Sequence, residues 1–440
     1  MQKSRVFGSL AVVAALGLSS CGLGGGEDSG SDGASQPTGA PEGEVTGSIS
    51  FSTLQLKPTF TEYIEDVITD FETENPGTTV EWIDVPFQGA QEKIVADAQA
   101  GSLPDVVNLN PNFALPLEKN GSFSNLDTVA PGVGEKYVQG AYDAFMVPGE
   151  DGHYGYPWYL TSEVTMYNSD MFTQAGLDPA NPPTDFDALY SDARTLAESG
   201  NGDFYGIHPA LENKVATDMV KLGVPLLNED HSEWTFDTPE AVDYVQTLVD
   251  LYADGVMPAD SLTQDHSKEI EAYQAGKVAL FPSGPNFLTI VEENAPDIAE
   301  VTQVAPQITG DDGAANMAVM GLLVPSSTDN LPTALAFADF MTNAQNQTEF
   351  AKIVTILPSI TEALEDPYFT DDSDGTVEAK ARKISAQQIP TALNMVPVEF
   401  DDRVKAAVIG EIQKAMNGDI SAQEAVTAAQ EQANQISFGG

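Results

Sequence analysis

The sequence predicts an α/β protein with a parallel β-sheet covered by helices. Apolar and polar residues alternate over 48–52 and 80–85, a pattern typical of strands. Between these segments, apolar side chains recur at helical spacing from Phe60 to Phe71. A second helical pattern then precedes a short apolar strand at 105–109. Strands that alternate with helices in this way usually pair in parallel and are covered by those helices.

The carboxyl ends of these strands are the expected location of a ligand site. In open parallel sheets, ligands bind in the crevice beyond the strand ends. The segments concerned are 53–57, 85–88 and 109–113. Asn110 and Asn112 directly follow the third strand, and we predict that both contact the ligand. A role in the turn is the alternative for each.

Later segments of the chain are richer in helices. The apolar periodicity predicts helices at 186–199 and 239–254, and two surface helices at 403–417 and 422–435. Thr184 or Asp185, which precede the first of these, can cap it. We find no internal repeat, and 440 residues are enough for two domains of ordinary size.

The first 21 residues have the layout of an export signal. Two basic residues precede an apolar run of 13 residues, 6–18, which is too short to cross a bilayer. The segment 18–21, Leu-Ser-Ser-Cys, resembles a bacterial lipobox, and Cys21 is the only cysteine of the chain. We therefore expect a signal peptide at 1–20 and a lipid on Cys21. The alternative is an ordinary secretory signal with an incidental cysteine.

The segment that follows the signal is predicted to be a flexible tether. Residues 22–47 are rich in Gly, Ser, Pro and acidic residues and contain almost no large apolar side chain. Such a segment cannot bury enough surface to fold. As a coil of about 26 residues it would reach roughly 28 Å on average. We expect residues 21–47, with the lipidated Cys21, to hold a globular body off the membrane.

The charge balance excludes several kinds of partner. The chain has 67 Asp and Glu against 18 Lys and Arg. Nucleic acid is excluded because phosphate neutralisation needs clustered Lys and Arg. Direct adhesion to anionic lipid is disfavoured for the same reason. The acids are spread along the whole chain, which indicates a solvated surface or, alternatively, adaptation to a salty habitat.

The sequence lacks the motifs of common enzyme and metal sites. Its four histidines form no H-x-x-x-H or H-E-x-x-H pair, and no G-x-S-x-G elbow or Gly-rich phosphate loop is present. We therefore expect no catalytic activity, no cofactor and no metal. A glycoside hydrolase, which uses aromatic side chains and two carboxylates, is the alternative from a different class.

An aromatic run is the most distinctive feature of the middle of the chain. Four aromatic residues fall within the six positions 154–159. Sugar rings stack on such side chains, while Glu, Asn and Gln bind hydroxyls. Strand alternation would place Trp158 and Tyr159 on opposite faces, so at least one face is expected to bind a ligand. We predict that both rings stack on it, with packing as the alternative, and that Glu163 accepts hydrogen bonds from hydroxyls or from backbone.

Several motifs occur in a fixed order from about residue 48 to the end of the chain. The most specific block runs from Gly155 to Asp178 and contains Gly-Tyr-Pro-Trp-Tyr, Tyr-Asn-Ser-Asp-Met-Phe and Ala-Gly-Leu. The others are Ala-Gly-Ser-Leu-Pro-Asp-Val at 100–106, the run at 273–286 that ends in Ser-Gly-Pro-Asn, and Ile-Leu-Pro-Ser at 356–359. In order and spacing they resemble the family 1 extracellular solute-binding proteins of ABC importers.

The resemblance implies a two-lobed, hinge-connected α/β fold of the type II periplasmic-binding-protein kind. Lobe 1 would comprise 48–155 and 305–352, and lobe 2 would comprise 156–304 and 353–440. The lobes would close on one small-molecule ligand, and the closed form would dock on ABC permease subunits. The protein would act as a monomer on the cell surface, anchored by its lipid to the outer face of the cytoplasmic membrane.

The same resemblance implies further ligand contacts by motif position. They are Gln55, Phe87, Asn286, Phe287, Met320 and Gly321. The expected ligand is a di- or oligosaccharide. One alternative is a glycerophosphodiester, whose phosphate needs Arg, Lys or a helix N-terminus. Another is a cation held by aromatic rings and Glu.

Overall fold

The structure is a computed structural model that describes residues 43–263 and 266–439. The predicted signal peptide, Cys21 and most of the predicted linker lie outside the described residues. None of the helices in the described ranges has the length and apolar character that crossing a bilayer requires.

Residues 43–263 and 266–439 contain ten strands, which form two sheets. The strands are β1 (Gly47–Leu54), β2 (Thr78–Val85), β3 (Val106–Leu109), β4 (Tyr156–Ser162), β5 (Val164–Asn168), β6 (Leu280–Ser283), β7 (Thr302–Pro306), β8 (Ala315–Leu323), β9 (Leu357–Pro358) and β10 (Ala392–Leu393).

Eighteen α-helices are present in the described part of the chain. They are α1 (Thr61–Glu74), α2 (Ala90–Ala100), α3 (Pro111–Glu118), α4 (Leu126–Val129), α5 (Gln139–Asp143), α6 (Ser169–Gln174), α7 (Phe186–Gly200), α8 (Leu211–Lys221), α9 (Pro239–Ala253), α10 (His266–Gln274), α11 (Phe287–Asn294), α12 (Pro296–Ala299), α13 (Leu331–Met341), α14 (Ala344–Ile353), α15 (Pro367–Thr370), α16 (Val377–Gln388), α17 (Asp402–Met416) and α18 (Ala422–Ser437).

The first sheet has seven strands in the order β2-β1-β3-β8-β4-β9, with β10 paired to β8. The predicted parallel arrangement of the first three strands is confirmed, because β1 pairs in parallel with both β2 and β3. β8 runs antiparallel to β3 and β4. Apolar clusters cover both faces of this sheet, with Phe51 and Trp158 in one and Val107 and Leu160 in the other.

The second sheet is smaller, with the antiparallel order β6-β5-β7. Helices α7, α8, α9, α17 and α18 contribute to the largest apolar cluster, which packs beside this sheet. The two C-terminal helices were predicted at the surface, and both lie there with one face in that cluster. Val408, Ile412 and Ala425 are buried in it, while Lys414 and Glu431 on the other faces are exposed.

We define lobe 1 and lobe 2 as the residues packed around the first and the second sheet. The chain passes between them at Glu163, 307–314, 371–376, 389–391 and 394–401. This corrects the predicted boundaries. β4 (156–162) belongs to lobe 1, where it pairs with β8, and so do 357–370 and 392–393.

Candidate ligand-binding site

A cleft of about 580 Å³ lies between the two lobes, beside the crossover segments. Both lobes and two crossover segments contribute to its wall. From lobe 1 come Gln91, Asn112, Phe113, Thr161, Ser162, Asn316 and Ala318; from lobe 2 Glu212, Asn213, Lys214, Ala216, Thr217, Pro282, Ser283, Gly284, Asn286, Phe287, Asp402 and Lys405; from the crossovers Glu163, Val396, Val398, Phe400 and Asp401.

The lobe 1 wall is formed where strands of the first sheet end. Asn110 caps α3, since its side-chain oxygen accepts a hydrogen bond of 3.0 Å from the backbone N of Phe113. This cap directs the first turn of α3, with Asn112 and Phe113, into the cleft. Asn110 itself was predicted to contact the ligand, but its oxygen is already used by the helix.

The lobe 2 wall is formed by the first turns of three helices. Asn286 and Phe287, both predicted contacts, lie at the beginning of α11 and line the cleft. Glu212 and Lys214 come from α8, and Lys405 from α17. Amides, hydroxyls and charged groups therefore surround the cleft from both sides.

Three aromatic side chains, which we call the cleft phenylalanines, are Phe113, Phe287 and Phe400. All three are partly buried and line the cleft. Phe287 packs edge-on against Phe281 at 5.9 Å between ring centroids, and Phe400 against Trp234 at 6.0 Å. Packing on one side fixes these rings while another side faces the cleft, an arrangement suited to stacking on a flat apolar surface.

The structure corrects the prediction for Trp158 and Tyr159. Trp158 is completely buried, and its ring stacks on Phe350 at 5.4 Å. Tyr159 is partly buried and contacts the same Phe350 at 5.7 Å. A β-bulge explains this, because two residues of β4, Trp158 and Tyr159, occupy one step of β8, so consecutive side chains pack on the same ring. Neither residue lines the cleft.

Glu163 lies between β4 and β5, and it lines the cleft as predicted for a ligand contact. Its carboxylate pairs with Lys214 Nζ at 2.8 Å. Burial lowers the pKa of Lys214, but the carboxylates of Glu163, Asp218 and Glu269 outweigh burial and raise it overall. The lysine is therefore held charged at the floor of the cleft.

Behind this ion pair lies a small cavity of about 50 Å³ within lobe 2, also lined by Asp218 and Lys221. Burial raises the pKa of Asp218 to about 6, against the opposing charges of Lys214 and Lys221. Burial also lowers the pKa of Lys221. The Tyr244 hydroxyl donates a hydrogen bond of 3.3 Å to Asp218. The cleft floor thus rests on a buried cluster of titratable groups.

Both lysines that line the cleft are engaged by carboxylates. Lys214 pairs with Glu163, and Lys405 pairs with Asp402 at 3.0 Å. The N-terminus of α17 is also occupied, because Asp401 accepts hydrogen bonds from the backbone N of Arg403 and Val404 at 2.9 and 3.0 Å. An anionic ligand at either lysine or at the N-terminus of α17 would have to displace one of these carboxylates.

Two predicted contacts lie on lobe 1 outside the cleft lining. Gln55 accepts a 3.3 Å hydrogen bond from the backbone N of Phe87, and Phe87 is 62% exposed. Gln91, one helical turn beyond Phe87, does line the cleft. The assignment of Gln55 and Phe87 as ligand contacts stays a prediction.

The β8 residues Met320 and Gly321 are not among the cleft-lining residues. Met320 is opposite Tyr159 in the sheet, while Ala318 and Asn316 on the same face reach the cleft. Gly321 is buried, and a Cβ at this position would lie 2.4 Å from the Phe145 ring. Close packing therefore accounts for Gly321.

Known proteins resemble this chain in sequence and in structure. Residues 56–348 match the family described as bacterial extracellular solute-binding proteins. The chain belongs to this family. Among the solved structures similar to this solute-binding protein is a candidate oligosaccharide periplasmic-binding protein from a Synechococcus species. It is 32% identical, with a TM-score of 0.79, covering 89% of this chain and 99% of that chain.

Two further relatives of this solute-binding protein are more distant. An arabinooligosaccharide-binding protein of Halalkalibacterium halodurans is 24% identical over 328 residues, which are 71% of this chain and 72% of that protein. The sugar-binding protein MalE from Xanthomonas citri is 20% identical with a TM-score of 0.74, covering 89% of this chain and 97% of that chain. The second likeness supports the two-lobed fold.

Several lining residues of this solute-binding protein escaped the sequence analysis. Gln91, Lys214, Asn316, Phe400 and Lys405 stand in no recognisable motif. Phe113 lay within the predicted strand-end segment 109–113 but was not singled out. For Gln91, Phe113, Lys214 and Lys405 the local signal is a position in the first turn of a helix: α2, α3, α8 and α17, respectively. Asn316 in β8 and Phe400 in a crossover segment lack this signal.

Proposed function

We propose that the protein is the substrate-binding lipoprotein of an ABC importer and captures a di- or oligosaccharide between its two lobes. The observation that carries the proposal is the set of cleft phenylalanines, which come from lobe 1, lobe 2 and a crossover segment. Apolar faces of sugar rings pack against such aromatic side chains. A ligand that touched all three would bridge the lobes and stabilise closure.

The remaining lining supports a carbohydrate over other small molecules. Asn112, Asn213, Asn286 and Asn316 supply amide donors and acceptors, and Thr161 and Ser162 supply hydroxyls. A cleft of about 580 Å³ also lies within the usual range of roughly 300–1,000 Å³ for ligand sites. The relatives named for binding oligosaccharides support the same class of ligand.

The two rival ligands meet a less suitable cleft. A glycerophosphodiester needs an available cation or helix N-terminus for its phosphate. Lys214 and Lys405 are in ion pairs and Asp401 caps α17, which leaves the beginnings of α11 and of α8, where Glu212 adds a negative charge. A cationic ligand would need available carboxylates. Of the four acidic side chains in the cleft lining, Glu163 and Asp402 hold those two lysines and Asp401 caps α17, which leaves Glu212. Sugar hydroxyls, in contrast, can bond to ion-paired groups without separating them.

The anchor forms the second part of the proposal. A lipid on Cys21 would hold the protein at the outer face of the cytoplasmic membrane, and 22–47 would let the body reach the permease as a monomer. Radioactive palmitate should label the wild-type protein in growing cells but not the Cys21→Ala variant. Equal labelling of both proteins would remove the anchor from the proposal.

Calorimetric titration of the purified Cys21→Ser protein tests the ligand. The panel consists of maltose, trehalose, maltotriose, cello- and xylo-oligosaccharides, glycerophosphodiesters and choline. We expect one carbohydrate to bind with micromolar or tighter Kd and a stoichiometry near one. Binding of a phosphodiester or choline alone would contradict the sugar assignment, and hydrolysis of the bound sugar would indicate an enzyme.

A further inference from the structure

Side-chain amides join the crossover segments beneath the cleft. Gln307 is 1% exposed and is the first residue of the crossover 307–314. Its carboxamide accepts a hydrogen bond from the backbone N of Asn316 at 2.8 Å. The same carboxamide donates to Ser162 Oγ at 3.2 Å and to the Asn316 carbonyl at 3.1 Å. The buried Gln307 side chain thus links the point where the chain leaves lobe 2 to strands β4 and β8 of lobe 1.

A second amide extends these contacts to the other crossovers. Gln388, the last residue of α16, accepts from the backbone N of Gln307 at 2.8 Å and donates to the Glu163 carbonyl at 3.2 Å. The Asn316 side chain accepts a longer hydrogen bond, 3.4 Å, from the backbone N of Met395 in the crossover 394–401. We call Gln307, Gln388 and Asn316 the crossover amides.

This arrangement restricts rotation between the lobes. Rotation of one lobe against the other changes the backbone angles of the crossover segments. With the crossover amides in place, such a change would leave buried donors and acceptors without partners. A fully satisfied buried polar network favours one arrangement over its alternatives.

The crossover amides also lie next to the ligand site. Ser162, Glu163 and Asn316 line the cleft, and each is hydrogen-bonded to Gln307 or Gln388. Gln307 itself does not line the cleft. Any influence of Gln307 on capture is therefore indirect, through the positions of these three residues and the angle between the lobes.

We propose that Gln307 is a positioning residue for ligand capture, which fixes the angle between the lobes in the ligand-free protein. The inference rests on the proposed function in one respect, since the lobe angle matters for capture only if a ligand is held between the lobes. It requires no particular ligand class.

Distances between paired spin labels test this inference on the full chain. Cys21→Ser removes the only native cysteine, and Ser102→Cys and Glu198→Cys place one label on the exposed surface of each lobe. The distance distribution is measured without ligand in this background and in Gln307→Leu. Gln347→Leu is the matched control, because Gln347 is also 1% exposed. Its amide bonds to Thr342 and Ser359, which both lie within lobe 1.

We expect Gln307→Leu to broaden the distance distribution by at least about twofold, while Gln347→Leu leaves it unchanged. Both variants are expected to melt at a lower temperature, so melting alone does not separate the two roles. A distribution for Gln307→Leu as narrow as in the parent protein would overturn the inference, and so would equal broadening in the two variants.

A second variant keeps the test decisive if Gln307→Leu does not fold. Gln388→Leu removes the bonds to Gln307 and Glu163 at a partly exposed position, and the same broadening is expected. An unchanged distribution in Gln388→Leu would then overturn the inference. Because no ligand is used, a wrong sugar assignment leaves these outcomes unaffected.

Discussion

Two groups of aromatic side chains behave in opposite ways in this protein. Trp158 and Tyr159 lie in β4, in the densest aromatic run of the sequence, and pack on Phe350 inside lobe 1. The cleft phenylalanines are isolated in the sequence, and each lines the cleft. Aromatic density along a strand therefore indicates packing when helices cover both faces of its sheet. Single aromatic residues near the beginnings of helices supply the candidate binding surface.

Trp158→Ala should have the largest effect of the substitutions that separate packing from binding. We expect a loss of about 3–5 kcal/mol in the free energy of unfolding, because a large buried ring is removed from the core. Chemical denaturation measures this loss. The Kd for the bound sugar, determined on the folded fraction, should stay within about threefold of wild type. A large rise in Kd with unchanged stability would show that Trp158 contacts the ligand, as the sequence analysis predicted.

The two cleft lysines differ in burial, as the two groups of aromatic residues do. We therefore expect them to contribute differently to the stability of the fold. The side chain of Lys214 is 11% exposed, whereas that of Lys405 is 33% exposed and its partner Asp402 is 95% exposed. We expect Lys214→Met to cost about 3 kcal/mol of stability, since Glu163 loses its partner in a partly buried site. Lys405→Met should cost less than about 1 kcal/mol. Equal losses measured by denaturation would contradict this division.

Asp218 should make the free energy of unfolding depend on pH. Burial raises its pKa from 3.8 to about 6, so between these values the folded protein holds a proton that the unfolded chain has released. The resulting stabilisation is fully present below about pH 4 and is lost as the pH rises through 6. Between pH 4 and pH 7, the free energy of unfolding of the wild type should fall by on the order of 2 kcal/mol relative to that of Asp218→Asn. A stability difference between the two proteins that stays constant over this range would contradict the expectation.

Phe287→Ala is expected to change the free energy less than Trp158→Ala, Lys214→Met or Asp218→Asn, but it is the most specific test of the site. Loss of one stacking surface should raise the Kd for the bound sugar at least about tenfold, equivalent to about 1.4 kcal/mol. Phe438→Ala is the control, because Phe438 is 38% exposed and lies outside the cleft lining. The same calorimetric titration serves both variants. An unchanged Kd for Phe287→Ala would remove the ring from the site.

Local patterns predicted the elements whose partners are close in sequence. The strands β1, β2 and β3 and the helices α7 and α9 match their predicted positions to within a few residues. Asn112, Asn286, Phe287 and Glu163 were predicted as contacts and line the cleft. These predictions came from strand ends, helix caps and positions within motifs.

The rest of the site depends on pairings between distant segments. The bulge that turns Trp158 and Tyr159 onto one ring exists only through β8, more than 150 residues away. Lys214 reaches the cleft because α8 packs beside the second sheet, and Gln307 is important through its bonds to Ser162 and Asn316. No local pattern of residues specifies such contacts.

Capture of one oligosaccharide between the cleft phenylalanines should protect both lobes from solvent. Hydrogen–deuterium exchange, measured with and without the sugar identified by titration, detects this protection. We expect slower exchange at 110–116, 286–290 and 400–405, with no change at 156–160. Protection confined to 156–160, or to one lobe alone, would contradict this binding mode.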